Sequence, residues 1–253
     1  MNAPRKLFIA VLAAISAALV NFLIFDLRVE SRPIDSFPIR EGTFWVYRGV
    51  VRWYDMQLQK TASSIVTSKC EVLRVYRRDS LVIALMRGFP WDFDWSEGDA
   101  NPSEWLLAKS GNGLIYVLDS KNLQENLKRL DNPTDALRDI LQEDDLLMKL
   151  PLKKGMKFCD AEARMRPDDR YCWVVAATRD VALNDVKGLR PREYKSFLVQ
   201  YVTNPDDTEL EFVPGLGFTS YRYHHHGSVA DTEMKLVEYH AAKDTQSMPE
   251  DER

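Results

Sequence analysis

An excess of basic charge, a dense set of cysteines or histidines, and any recognisable catalytic signature are all missing from this chain of 253 residues. Lys and Arg number 34 against 38 Asp and Glu, a net charge of -4. Proteins that grip nucleic acid present a basic patch or stripe, so the balance argues against nucleic acid as a partner. Three cysteines are too few for a disulfide scaffold, and none sits directly behind the apolar N-terminal run, so no lipoprotein anchor is expected. The chain has no G-x-S-x-G, no H-E-x-x-H and no phosphate-binding glycine loop. No catalytic residue and no cofactor is therefore expected. Internal repeats are absent too.

Long hydrophobic runs are also scarce, with one exception. From Leu7 to Phe25 the chain carries no charge and is broken only by Ser16 and Asn21, with Arg5 and Lys6 just before it. That length approaches the roughly 20 residues needed to cross a ~30 Å hydrocarbon core. Residues 1–6 are read as a cytoplasmic stub and 7–25 as a transmembrane anchor, because the positive-inside rule holds Arg5 and Lys6 in the cytoplasm. A cleaved signal sequence is the alternative, although cutting near Ser16 or Ala18 would leave the apolar Leu19–Phe25 on the new N-terminus. Both readings export the rest of the chain. The expected location is the inner (cytoplasmic) membrane, single-pass, with the folded domain on the periplasmic or extracellular side. Residues 26–40, with Pro33 and Pro38, are expected to be a tether, 41–240 the folded domain, and 241–253 a disordered tail.

Within 41–240 the pattern is that of short strands. Trp45, Tyr47, Val51 and Trp53 alternate with Arg48 and Arg52, as one buried and one solvated face require. Further strands are expected over 65–76, 81–86, 105–109, 114–118, 156–159, 171–177, 194–203, 208–213, 216–225 and 234–239. Arg78-Asp79-Ser80 and Gly111-Asn112-Gly113 supply hairpin turns. A helical insert is expected over 120–147. Leu123, Leu127 and Leu130 form one apolar stripe, and a second helix is expected to start from Asn132 as N-cap with Pro133 at its first position. Strands joined by turns rather than helices favour a mainly β domain, a curved antiparallel sheet or open β-barrel-like structure with a small helical insert.

Candidate chemistry is sparse. Cys159 and Cys172 bracket a polar loop and are expected to form a disulfide, which leaves Cys70 as a buried thiol. His224 and His226 share one face of a strand and could ligate a metal, with His240 or Asp231 as a further ligand. The more ordinary reading is a strand running into the turn at Gly227. Trp91, Phe93 and Trp95 lie in an acidic aromatic loop that could form a ligand- or partner-binding rim, or could simply cover the sheet edge. Its carboxylates do not follow a calcium-loop pattern. Asp168-Asp169 and Asp206-Asp207 read as turn residues beside Pro167 and Pro205.

The stretches Phe37–Tyr47, Arg170–Val175 and Phe212–Gly217 resemble segments of a group of exported or membrane-anchored bacterial proteins of unassigned function. The resemblance implies an extracytoplasmic β domain and carries no active-site residue with it. Two functions remain in view, beside a purely structural scaffold with a stable partner and no pocket. One is a membrane-anchored binding or envelope-assembly module using a concave sheet face or the Trp91–Trp95 loop, with an apolar ligand or an envelope protein as its partner. The other is an exported metal-dependent hydrolase built on His224 and His226.

Overall fold

The computed structural model describes residues 37–89, 102–118, 120–135, 137–227 and 230–242. The anchor expected over 7–25, Trp91, Phe93 and Trp95, and nearly all of the expected tail lie outside these residues. Among the described residues, no helix is long and apolar enough to cross a membrane.

Twelve antiparallel strands make one sheet. They are β1 (Phe44–Asp55), β2 (Lys60–Arg78), β3 (Leu81–Arg87), β4 (Glu104–Ser110), β5 (Leu114–Leu118) and β6 (Leu146–Lys149), then β7 (Lys157–Phe158), β8 (Trp173–Ala182), β9 (Glu193–Val202), β10 (Asp206–Val213), β11 (Gly217–His225) and β12 (Ala230–His240). The spatial order runs β6-β5-β4-β3-β2-β1-β12-β11-β10-β9-β8-β7. Two six-stranded meanders thus join through the pairing of β1 with β12, and the outer strands β6 and β7 come back to face each other. The result is a nearly closed barrel with one seam, as the strand pattern predicts.

The curvature comes from register shifts. Irregularities interrupt the pairing at Val46/Tyr47, Val72/Arg74, Ile115/Tyr116, Val175/Ala177 and Glu211/Phe212. Each extra residue bends its strand and increases the local twist. Gly49 permits a close approach where β1 meets β12, since a Cβ there would lie 1.8 Å from the Glu233 carbonyl oxygen. No side chain fits at that point.

Every strand sends at least one side chain into a single buried cluster. Trp45, Val66, Ala84, Leu107, Ile115 and Met148 come from the first meander; Phe158, Val175, Val199, Leu210, Phe218 and Met234 come from the second. The concave face proposed for an apolar ligand is therefore filled by the protein's own core. A second cluster lies on the outer face of β2–β5, where Ile83, Leu106 and Ala108 point away from Ala84 and Leu107. It is covered by α1 (Leu123–Asp131) through Leu123 and Leu130, as the leucine stripe requires.

Several boundaries differ from the sequence reading. The second insert helix does not start at Pro133: Asn132 Oδ1 accepts from the Thr134 amide and hydroxyl, and only a 3-10 turn over Arg138–Ile140 follows. Such local side-chain bonds compete with helix formation. Arg129 then pins the turn by bonding Asp135 at 2.8 Å and Asp139 at 2.7 Å, and its guanidinium holds the Asp135 carboxyl at about 2. Residues 146–147 belong to β6 rather than to the insert. Phe37 and Ile39, expected in the tether, are buried in the core instead. Glu211 is only 8% exposed although a carboxylate on the outer face of a strand would ordinarily meet solvent. It does lie on the outer face, but Arg179 bonds it at 2.7 Å and Ser196 at 2.8 Å, and these two cover it.

Candidate functional site

The seam between β6 and β7 holds a pocket of about 460 Å³. One wall is the 3-10 turn Glu143–Asp145 and the start of β6, giving Glu143, Asp144 and Leu146. The opposite wall is β7 and the loop behind it, giving Phe158, Asp160, Glu162, Arg166 and Tyr171. At the floor, Trp173 of β8 pairs in register with Tyr201 of β9, with ring centroids 5.0 Å apart.

The β7 wall is fixed by local chemistry. Cys159 and Cys172 form the expected disulfide, buried with Ala163 in a small separate cluster. Asp160 Oδ1 accepts from the Ala163 amide at 2.7 Å and so caps the short helix α2 (Ala161–Arg164). Arg164 donates to the Cys159 carbonyl at 2.8 Å. Tyr171 takes a left-handed backbone, φ 63°, and its amide donates to the Val202 carbonyl at 2.8 Å. A residue that is not glycine enters this region only where its surroundings enforce it. Arg166 lies over the Tyr171 ring, 5.1 Å from its centroid, and bonds Asp168 through two contacts of 3.0 and 2.8 Å. That carboxylate pushes the guanidinium pKa up. Burial pushes the Tyr201 phenol up, and Tyr171 and the charges of Asp160 and Asp144 add to it.

The histidine cluster sits elsewhere, where β10, β11 and β12 end together. His224 and His226 do share a face, with ring centroids 4.6 Å apart and planes at 90°. Each imidazole is engaged by a different carboxylate. His224 pairs with Asp231, His225 Nδ1 lies 2.6 Å from Asp206, and His226 Nε2 lies 2.7 Å from Asp207. His240, considered as a third ligand, stacks on Phe44 at the other end of β12. Among the described residues, no group of three or more His, Cys, Asp or Glu side chains is arranged to hold a metal ion. Asp206 and Asp207, read as turn residues, instead open β10, because register with β11 places each beside a histidine.

Tyr223 donates to Asp206 at 2.7 Å. That bond, with the one from His225, holds the Asp206 carboxyl below its usual range. Burial, followed by the bond to Asp206, pushes the Tyr223 phenol up to about 12. A folded pKa above the unfolded value of 10.0 stabilises the fold below pH 10. This contribution is lost as pH rises from about 10 to about 12. Tyr223→Phe should therefore flatten the alkaline fall in stability over that range, measured by urea denaturation at stepped pH. An unchanged slope would show that Tyr223 titrates alike in the folded and unfolded chain.

The sequence reading missed the seam pocket. Its residues are spread over 143–146, 158–173 and 201, and only the fold brings them together. One signal was present: a cysteine-bracketed polar loop that starts fourteen residues after the acidic run at 143–145 and is followed at once by Trp173.

No family model matches the chain, and no curated protein matches it. Two solved structures are similar. One is a protein from Bacteroides fragilis described as exported and of YmcC-like fold, at 12% identity and a TM-score of 0.40. It aligns over 82% of this chain and 99% of its own. The other, from Parabacteroides distasonis and described as a lipoprotein, has 14% identity, the same TM-score and the same coverage.

Proposed function

We propose that this chain is an exported, membrane-anchored binding domain whose ligand site is the seam pocket. The observation that carries the reading is the pocket itself, about 460 Å³ with charged walls and an aromatic floor. Small-molecule sites have volumes of roughly 300–1,000 Å³ and combine apolar contact with a few polar groups. The uncharged run from Leu7 to Phe25 and the Cys159–Cys172 bridge support export to an oxidising compartment. Because core side chains pack the barrel interior, this reading puts the ligand at the seam rather than on the concave face of the sheet.

Native mass spectrometry of the full chain, purified in mild detergent from an oxidising compartment, tests this. The expected spectrum shows a small-molecule adduct that Trp173→Ala loses. A clean unliganded mass in both proteins would overturn the binding reading. A protein partner retained in place of the adduct would favour envelope assembly, and a stoichiometric metal would return attention to His224 and His226.

A further inference from the structure

Four carboxylates, those of Glu143, Asp144, Asp160 and Glu162, line the seam pocket against a single guanidinium, Arg166. That guanidinium is already neutralised by its two contacts with Asp168. The acids stand on both sides of the opening, two in the turn before β6 and two at the start of α2. The charged side chains lining the pocket therefore sum to a negative formal charge. Between the walls lie the indole of Trp173 and the ring of Tyr201. Aromatic faces are themselves negative and attract cations, indole most of all. Asp160 and Asp144 both act on the Tyr201 hydroxyl, which places charge from each wall near the same ring.

A neutral ligand entering this space would take water from the carboxylates without replacing it. An anion would be repelled. A compact cation meets the rings and the acids at once. We propose that the seam pocket binds a small alkylammonium group, seated on Trp173 and Tyr201 between Asp144 and Asp160. The assignment rests on the seam pocket being the ligand site. An ammonium next to a phosphate, as in a zwitterionic lipid headgroup, would bring its phosphate against the same acids. The ammonium therefore belongs to a ligand with no adjacent phosphate.

Ligand-observed saturation-transfer NMR on the full chain in mild detergent tests this with choline, its neutral carbon isostere 3,3-dimethylbutan-1-ol, and phosphocholine. Choline is expected to bind, the isostere to show no saturable transfer, and phosphocholine to bind several-fold more weakly. In the Asp144→Asn/Asp160→Asn double variant, choline affinity should fall about tenfold, as expected for losing two nearby charges. Asn at 160 keeps an oxygen for the helix cap, so the fold should persist. Equal binding of choline and the isostere would overturn the cation assignment while leaving the pocket as a ligand site. Choline binding unchanged in the double variant would overturn it too, by placing the cation elsewhere. If neither ligand binds, the cation assignment fails, and the pocket reading is then judged on the co-purified adduct alone.

Discussion

Removing the Cys159–Cys172 bridge is expected to lower stability by about 3 kcal/mol, the loop-closure value for a cross-link spanning thirteen positions. In a domain of this size each kcal/mol moves Tm by about 2–4 °C, so the fall should be roughly 6–12 °C. The bridge has little local help. β7 contributes only Lys157 and Phe158 to the sheet, pairing with Val174 and Trp173. Without the cross-link, the segment carrying Asp160, Glu162 and Tyr171 keeps the Asp160 cap, the Arg164 bond to the Cys159 carbonyl, the Lys157–Asp169 ion pair and the backbone bond from Tyr171 to Val202. Loss of ligand should therefore accompany the loss of stability. The check is a pair of thermal melts, with and without reductant, on the native chain and on Cys159→Ala/Cys172→Ala. The native chain should fall to the variant's Tm under reductant, and the variant should not respond. A native Tm unchanged by reductant, while two further thiols become titratable, would show that the bridge does not hold the wall.

The largest single-residue effect is expected at Trp45, which is 2% exposed. Its indole donates to the Leu216 carbonyl at 2.7 Å, and its ring lies 5.9 Å from both Phe37 and Tyr239. The tight turn between β10 and β11 closes over it. Gly217 sits there at φ 95°, and a Cβ in its place would lie 3.4 Å from the indole nitrogen. Trp45→Ala removes the ring from the point where the two meanders join, and should cost about 3–5 kcal/mol. Many domains have only about 5–15 kcal/mol in total. Trp45→Phe keeps most of the ring but leaves the Leu216 carbonyl without its donor, for a cost of about 1–3 kcal/mol. Urea denaturation of both variants separates ring from hydrogen bond. Equal losses would mean that the hydrogen bond, not the packing, dominates at this position.

Much of this architecture can be read from local patterns. Alternation exposed β1, the Asn-Gly pair marked the β4–β5 hairpin, and the leucine stripe marked α1, because each signal is contained within a few neighbouring residues. The cysteine pairing was legible for the same reason. The barrel-like form was expected, but the pairing that joins the two meanders was not legible, since it depends on Phe44 meeting His240 and on bulges that insert one residue without a compositional mark. Asp206 and Asp207 were misread because the residues that make them more than a turn, His225 and His226, lie across a hairpin. The expected helix after Asn132 failed for an opposite reason. Its start signal was real, but local side-chain bonds and Arg129 held the chain in turns. The seam pocket combines both difficulties, with half its lining in irregular segments and its two edges contributed by different meanders.

The strand order also decides which side of the domain stays accessible. The described chain ends at Ala242, whose amide donates to Thr43 Oγ1 at 3.3 Å just before β1 begins. Counting along the sheet in either direction from the β1–β12 pair, the seam is the last point reached. Entry and exit thus share one flank of the cylinder, and the pocket opens on the other.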